Sequence, residues 1–199
     1  MKGGIGIVAS ERNNFSWHFI QSLLGLLKKQ PELEVIYCQV GNQADARNHV
    51  LKVAKDMNLD YVVMIDSDMT FGSTYVLELL DTMEKFGAKI GAGLYFGTFP
   101  PFSPMASELN ENGVFHPIKE YKEPRYIDAC GMGFTLIMKE LFDIKFEFGN
   151  GLGEDHSFCR KAALLGHSIV LNPNLRCGHL RMIPVNERLI ETYYKNVTR

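Results

Sequence analysis

Short apolar runs alternate with helical segments through the first half of this 199-residue chain. The strand-like runs lie at Gly4–Ser10, Leu33–Val40, Tyr61–Asp66 and Ala88–Phe96, and the helical segments lie at Phe15–Lys29, Ala44–Asn58 and Tyr75–Phe86. Strands that alternate with helices form a largely parallel sheet whose two faces are covered by the helices. The pattern therefore predicts an α/β fold, and the length fits a single domain.

The alternation stops after Phe96. Residues 97–126 contain five prolines and an Asn112-Gly113 pair that is typical of a hairpin turn. A loop of this length inside a compact domain is usually functional or mobile. The strand and helix pattern resumes near Ala129, and no linker divides the chain. We therefore predict one domain over residues 1–199, in which residues 181–199 form a C-terminal tail.

Composition and charge exclude several classes of function. The formal charge is −2 and the basic residues are spread along the chain, which gives no basis for nucleic-acid binding. The four cysteines lack the paired spacing of a zinc site and indicate reduced thiols. The sequence shows no signal peptide and no stretch of membrane-spanning length, so we expect a cytoplasmic protein. The apolar helix at Ser16–Lys29 leaves peripheral membrane contact open.

Two aspartates stand at the end of the most apolar strand-like run. The run YVVMID ends in Asp66, and Asp68 follows one serine later. Ligands of open α/β sheets bind beyond the carboxyl ends of the strands, and alternation turns both carboxylates the same way. Hard oxygen ligands suit Mg²⁺ or Mn²⁺, which would bridge a diphosphate. A solvated turn with helix-capping aspartates is the alternative.

A second acidic pair follows a glycine-containing loop. Glu154 and Asp155 come after Gly151-Leu152-Gly153 and open a helical segment that ends at Gly166. Acids at a helix N-terminus are favourable by about 0.3–1 kcal/mol, so capping accounts for one of them. The loop and the adjacent His156 favour a carboxylate that takes a proton from an incoming hydroxyl.

The third candidate element is the segment Cys177–Leu180, at the end of the strand-like run Ser168–Arg176. A lone histidine is more often structural than a ligand. A neutral imidazole nevertheless suits Mn²⁺ beside carboxylates, and His179 follows a glycine at the end of a strand. Both roles stay open for His179 on this segment alone.

In their order along the chain, these elements resemble the GT-A fold glycosyltransferases that use nucleotide sugars, particularly the family-2-like members. The resemblance runs from Gly4 to about Leu180 and includes the motifs Ala46-Arg47-Asn48, Asp66-Ser67-Asp68, Gly131–Phe134, Gly153–Asp155 and Gly178–Leu180. Each motif is short, but their combined order is fairly specific. The resemblance implies a Rossmann-like GT-A domain with a nucleotide-binding half at 1–96 and a donor-sugar and acceptor half at 97–180.

The resemblance implies a metal site and a catalytic base. Asp68 and His179 would bind the metal directly. Asp66 would contact the metal through water or would bind the nucleotide ribose. Asp155 would be the catalytic base, and Glu154 would hold hydroxyl groups of the donor or acceptor.

The remaining implied roles concern the nucleotide sugar. Ser10 would line the pocket for the base, Arg47 would brace the nucleotide end, and Ser67 would belong to the same nucleotide site. Gly131 and Gly133 would let the backbone approach the donor sugar.

The implied reaction is the transfer of a sugar from a nucleoside diphosphate sugar to a hydroxyl acceptor, with inversion and with Mn²⁺ or Mg²⁺ as cofactor. The metal would stabilise charge on the leaving diphosphate, and Asp155 would deprotonate the acceptor. The acceptor is a glycan, protein or lipid that the sequence does not identify. The loop at Gly97–Pro124 is the candidate for part of its site.

Three alternatives stay open. Residues Asp66–Thr70 match the DxDxT motif of haloacid dehalogenase-type phosphatases, in which Asp66 would be phosphorylated and Asp68 would act as acid/base. That motif normally ends the first strand, whereas two strand-like runs precede it here. A nucleotidyltransferase would need a Gly-rich triphosphate loop, which does not follow the first strand. A non-catalytic nucleotide-sugar-binding module is the third possibility.

Overall fold

A seven-stranded sheet forms the centre of the part of the chain that the structure describes. The structure is a computed structural model, and it describes residues 1–9, 15–39, 41–149 and 151–181. In chain order the strands are β1 (Gly3–Val8), β2 (Glu34–Cys38), β3 (Tyr61–Asp66), β4 (Met69–Thr70), β5 (Ile90–Leu94), β6 (Ala106–Leu109), β7 (Phe115–Pro117), β8 (Arg125–Ile127), β9 (Ala129–Cys130), β10 (Phe134–Met138), β11 (Ile169–Arg176) and β12 (Gly178–His179). The helices are α1 (Trp17–Lys29), α2 (Gln43–Asp56), α3 (Tyr75–Phe86) and α4 (Glu154–Leu164).

The strand order in the central sheet is β2-β1-β3-β10-β5-β11-β8. β1 is parallel to β2 and β3, and β11 is parallel to β5. β10 is antiparallel to both β3 and β5, and β8 is antiparallel to β11. Five of the seven strands therefore point the same way, which confirms the predicted α/β fold. The sequence could not predict the reversed direction of β10, because a strand buried on both faces is an apolar run in either direction.

Helices cover both faces of the sheet. α2 and α4 lie over one face, where Val50 and Phe158 are fully buried. α1 and α3 lie over the other face, where Phe19 and Leu79 are fully buried. α1 begins at Trp17, two residues after the predicted start at Phe15, and the Oγ of Ser16 caps it by accepting a hydrogen bond from the N–H of Phe19 at 3.0 Å. Several of the polar side chains described below lie at the end of β3, just after it, and in the short strand that follows β11.

The proline-containing region after β5 forms a small second sheet instead of one continuous loop. β6 pairs antiparallel with both β7 and β9. The hairpin turn lies where the sequence predicts it, with Gly113 at φ 72° and with Asn110 Oδ1 accepting from the N–H of Val114 at 2.9 Å. Strands of two to four residues are too short to give a recognisable alternation in the sequence.

Two predictions made from composition concern the cysteines and membrane-spanning segments. Cys38, Cys130, Cys159 and Cys177 are all buried and none forms a disulfide. Within the described ranges, no helix combines the length and the apolar composition that crossing a bilayer requires.

Candidate active site

The end of β3 and a short two-stranded ribbon bring Asp68 next to His179. β4 pairs antiparallel with β12, so that Met69 lies opposite His179. The N–H of Leu180 donates to the carbonyl of Asp68 at 2.7 Å and closes the ribbon. The Nε2 atom of His179 therefore lies 3.4 Å from Oδ2 of Asp68. Two motifs that are far apart in the sequence form one structural unit.

His179 is held in one orientation through its other ring nitrogen. Nδ1 lies 2.9 Å from the carbonyl oxygen of Phe96, so Nδ1 donates its proton there and Nε2 is directed at Asp68. The ring also packs edge-on against Tyr95, with centroids 5.6 Å apart. The hydrogen bond with Asp68 raises the pKa of His179, against the opposing effect of partial burial. A carbonyl partner on the far ring nitrogen is the usual support of a metal-binding histidine.

Asp68 has one oxygen that lacks a partner among the described residues. Its Oδ1 is buried and accepts no hydrogen bond there, while Oδ2 faces His179. A buried carboxylate oxygen without a donor is unfavourable, and a cation would satisfy it. A carboxylate and an imidazole are suitable ligands for Mn²⁺. Among the described residues, no group of three or more His, Cys, Asp or Glu side chains could hold a metal ion.

A buried arginine connects the two acidic pairs. Arg47, on α2, lies 3.2 and 3.4 Å from the two carboxylate oxygens of Asp66 and also donates to Glu154. Burial acts to lower the pKa of Arg47, but the surrounding carboxylates outweigh it and the pKa is raised. Burial raises the pKa of Asp66, and the charge of Arg47 offsets this only in part. The three side chains therefore form one buried charged group that joins α2, β3 and α4.

Asn48, the residue after Arg47, holds α2 against a second segment through hydrogen bonds to its backbone. The side-chain amide of Asn48 donates to the carbonyl of Phe146 and accepts from its N–H, both at 2.8 Å. The ring of Phe146 stacks on Phe158 of α4, with centroids 4.1 Å apart. The Ala46-Arg47-Asn48 motif thus fixes α2 against the segment that leads into α4.

Asp155 lies in the first turn of α4. The N-cap residue is Gly153, which has no side chain to cap the helix. Oδ1 of Asp155 accepts from the backbone N–H of His156 at 2.8 Å and lies 3.2 Å from its Nδ1. Burial acts to raise the pKa of Asp155, but the hydrogen bond from His156 and the charge of Arg47 outweigh it, so the pKa is lowered. A carboxylate that is ionised at neutral pH is in the state that a general base requires.

One cleft of ≈ 210 Å³ gathers most of the side chains that the sequence singled out. Its lining includes Arg47, Asp66, Ser67, Asp68, Glu154, Asp155 and His179. Glu154 is only 6% exposed and its Oε1 is engaged by Arg47, so its predicted contact with hydroxyl groups stays a prediction. Arg47 likewise braces two acids of the protein, and its predicted contact with a nucleotide stays a prediction. Ser10 lies outside the described residues.

Gly131 and Gly133 make room for a tyrosine. A Cβ atom at Gly131 would overlap the hydroxyl of Tyr95, and one at Gly133 would lie 2.8 Å from the Tyr95 ring. The N–H of Gly133 also donates to the Tyr95 hydroxyl at 2.9 Å. The close approach that is observed here is to Tyr95, and an approach to a donor sugar stays a prediction. Sequence reasoning missed Tyr95 because an aromatic residue at a strand end looks like any core residue.

A larger cavity, of ≈ 730 Å³, lies beside the β6–β7 hairpin. In its lining Arg125 pairs with Glu108, and Nδ2 of Asn110 lies 2.9 Å from Nε2 of His116. Most of its lining belongs to the Gly97–Pro124 loop that is the candidate acceptor region, but none of the predicted metal, base or nucleotide residues lines it. The smaller cleft is therefore the candidate active site.

Comparisons with known proteins identify the fold. No protein-family model matches the sequence, and no curated protein matches it. The structure is similar to A197 from STIV, with a TM-score of 0.67 and 16% identity over 92% of this chain and 87% of A197. It is also similar to GalNAc-T7, solved with UDP, GalNAc and Mn²⁺, with a TM-score of 0.61 and 12% identity. A third similar structure is S. aureus TarS 1–349, with a TM-score of 0.58 and 16% identity. The chain has a GT-A-like glycosyltransferase fold.

The GT-A-like fold confirms the fold predicted from the motifs, while the narrower likeness to family 2 stays a prediction. The matches cover 92% and 90% of this chain but only 44% of GalNAc-T7 and 60% of TarS 1–349.

The fold also bears on the phosphatase alternative. In chain order β1 and β2 precede the strand that ends in Asp66, and both Asp66 oxygens face Arg47. This arrangement does not favour a phosphorylated nucleophile at Asp66.

Proposed function

We propose that the protein is a metal-dependent glycosyltransferase that moves a sugar from a nucleoside diphosphate sugar to a hydroxyl acceptor. The observation that carries the proposal is the pairing of Asp68 with His179 in the same cleft as Asp155. The pair combines a buried, unpartnered carboxylate oxygen with an oriented imidazole. A GT-A-like fold with this pair and a nearby carboxylate has the parts that the reaction needs.

Asp68 and His179 are the residues that would hold the cation. A divalent cation at this position would stabilise the negative charge of the departing diphosphate. The carbonyl of Phe96 keeps Nε2 of His179 directed at the site. Mn²⁺ is the first ion to test, because the similar GalNAc-T7 structure contains Mn²⁺ with UDP. Asp66, Ser67 and Arg47 would face the nucleotide.

Asp155 is the proposed base. The acceptor hydroxyl would give its proton to this carboxylate while its oxygen attacks the anomeric carbon and the bond from that carbon to the diphosphate breaks. The developing oxocarbenium character at that carbon also favours a nearby carboxylate. A base on one side of the sugar and a leaving group on the other give inversion.

A thermal-shift panel tests the donor and the metal together. We expect one of the UDP-, GDP-, CMP- or dTDP-sugars to raise the melting temperature in Mn²⁺ and to lose this effect in EDTA. Asp68→Asn should lose the metal-dependent shift. Asp143→Asn, at an exposed acid paired with Lys55, is the matched control and should keep it. Nucleotide affinity that is unchanged by the chelator would rule out the metal site.

A hydrolysis assay separates an enzyme from a binding module. A glycosyltransferase without acceptor should slowly release nucleoside diphosphate from its donor, with water as the acceptor. A binding module should bind the same donor and release nothing. Phosphatase turnover together with a beryllofluoride adduct at Asp66 would instead favour the phosphatase alternative.

A further inference from the structure

His156 has both ring nitrogens engaged, one on each side of the ring. Nδ1 lies 3.2 Å from Oδ1 of Asp155, and Nε2 lies 3.2 Å from Oγ of Ser107. The ring also packs edge-on against Phe115, with centroids 4.9 Å apart. His156 therefore connects the first turn of α4 to both strands of the β6–β7 hairpin.

One neutral tautomer of His156 satisfies both of its side-chain hydrogen bonds. A proton on Nδ1 of His156 is donated to Oδ1 of Asp155, and Nε2 then accepts the hydroxyl proton of Ser107. With the backbone N–H of His156, Oδ1 of Asp155 has two donors. Among the described residues, no hydrogen bond is made to Oδ2 of Asp155, and Asp155 lines the cleft. The two carboxylate oxygens thus have different surroundings: one is fixed and the other is available.

The support on the far side of the ring is a buried strand. Ser107 is 7% exposed and pairs with Ala129 of β9. Its carbonyl accepts from the N–H of Asp128 at 3.0 Å. A hydroxyl fixed in this way restricts the rotation of His156 without being able to reach a substrate itself. The Ser107–His156–Asp155 order resembles that of a hydrolase triad, but a nucleophilic serine must be open to a cleft, and Ser107 is not among the lining residues of the candidate site.

We propose that His156 is a positioning residue for the transfer reaction, which holds Oδ1 of Asp155 so that Oδ2 faces the acceptor hydroxyl and which anchors this base to the β6–β7 hairpin. The inference rests on the proposed function, because it needs Asp155 to be the base. Residues that orient metal ligands typically change activity by about 10- to 100-fold when they are lost, and we expect an effect of this size for the residue that orients Asp155.

Two substitutions at His156 separate its two contacts. In His156→Asn the side-chain amide lies near the position of Nδ1 and can still donate to Asp155, but it cannot reach Ser107. In His156→Gln the amide extends toward Ser107, and the donor to Asp155 is lost. Ser107→Ala removes the support while it leaves the imidazole intact. His18→Asn, at an exposed histidine of α1, is the control.

The assay is donor hydrolysis in Mn²⁺ with the nucleotide sugar that stabilises the wild-type protein in the thermal-shift panel. We expect His156→Gln to lower kcat by about 10- to 100-fold with an unchanged KM for the donor. His156→Asn and Ser107→Ala should lose less than His156→Gln, and His18→Asn should lose nothing. Equal losses in the Asn and Gln variants, or a loss that appears only in KM, would overturn the assignment.

A second readout does not depend on turnover. The carboxyl carbon of Asp155 can be titrated by ¹³C NMR in the wild-type and His156→Gln proteins. Loss of the donor should raise the pKa of Asp155 in the variant. The other ionisable groups around Asp155 include Arg47 on α2, Tyr95 after β5, and Glu154 and Cys159 on α4, and they are the same in both proteins. An unchanged pKa would overturn the inference.

The two proposals fail in different ways. If the wild-type protein binds no nucleotide sugar in Mn²⁺, the proposed function fails, and this inference fails with it. If the wild-type protein hydrolyses a donor while His156→Gln keeps full activity at a normal melting temperature, only the role of His156 is wrong.

Discussion

At the scale of single residues, Asp155 separates binding from chemistry. Asp155→Asn should leave the affinity for donor and Mn²⁺ nearly unchanged, because the proposed cation ligands are Asp68 and His179. An amide cannot accept a proton as a carboxylate does, so transfer should fall by roughly 10²- to 10⁴-fold. The measurements are kcat for transfer or hydrolysis and the donor dissociation constant.

The alternative role of Asp155 is helix capping, and it predicts a different result. Asn caps a helix nearly as well as Asp, so a cap-only role predicts normal turnover and a loss of less than about 1 kcal/mol in the free energy of unfolding. A fully active Asp155→Asn protein would therefore remove the base assignment. Asp68→Asn is the comparison variant, because it should weaken donor binding as well as turnover.

The histidine of the candidate metal site should make cation binding depend on pH. The pKa of His179 is raised mainly by its hydrogen bond with Asp68. In the metal-free protein this pair stabilises the fold fully below the ordinary histidine pKa, and the stabilisation is lost as the pH rises through the raised value. A cation needs the neutral imidazole, so Mn²⁺ affinity should fall about tenfold per pH unit below the raised pKa.

The pH prediction is checked by titrating Mn²⁺ in the presence of UDP between about pH 5.5 and 8.5, at constant ionic strength. His179→Gln should remove the dependence together with most of the affinity. A wild-type affinity that stays constant over this range would show that His179 does not bind the cation.

A pair of substitutions tests whether Gly131 is needed for the packing of Tyr95. Gly131→Ala should displace the Tyr95 side chain and lower the free energy of unfolding by about 1–3 kcal/mol. Tyr95→Phe in the same chain removes the overlapping hydroxyl and leaves contacts of 3.2 Å, so it should restore part of that loss. The measurement is chemical denaturation of the two single variants and the double variant.

The same variants distinguish the two roles of Gly131. If the glycine serves only the packing of Tyr95, the double variant should regain donor affinity along with stability. If it also serves the donor sugar, stability should return while donor affinity stays low.

At the scale of elements, Arg47 joins α2, β3 and α4 through its ion pairs with Asp66 and Glu154. Arg47→Met leaves the buried Glu154 and the partly buried Asp66 without their cation, which should cost about 3–5 kcal/mol of unfolding free energy. Arg125→Met breaks a pair whose two side chains are 38% and 39% exposed, and it should cost less than about 1 kcal/mol. Denaturant unfolding of both variants checks the difference.

A second substitution tests the cause of the loss. Glu154→Gln should recover part of the stability in the Arg47→Met background, because it removes one of the two unpaired charges. If the two arginine variants lose equal stability, the charged group at Arg47 is not a structural connection between the elements.

At the scale of the whole molecule, the sequence predicts what depends on local pattern. The strand and helix order follows from hydrophobic period, and the acids at the ends of β3 and at the start of α4 follow from the rule that ligands bind beyond strand ends. The sequence does not predict contacts that depend on which elements become neighbours. The reversed β10, the packing of Tyr95 on His179 and the link from Ser107 to His156 belong to this second kind.

The Arg47 group illustrates the same limit. The sequence singles out Arg47, Asp66 and Glu154 separately, each for a role toward a ligand. The structure pairs them with one another, and no spacing in the sequence indicates such a pairing. Their roles toward a nucleotide sugar therefore depend on whether donor binding rearranges the pairs.

The ribbon of β4 and β12 has a consequence for the time course of folding. It joins Met69 to His179, residues that are distant along the chain, and closing so long a segment has a high entropic cost. Asp68 and His179, the proposed cation ligands, cannot come together before that closure, even if β1 to β3 are already in place. We therefore expect Mn²⁺-dependent nucleotide binding to appear only with the slowest refolding phase, after most of the helical circular dichroism has returned. Stopped-flow refolding with a fluorescent nucleotide would contradict this if binding appeared in the earliest phase.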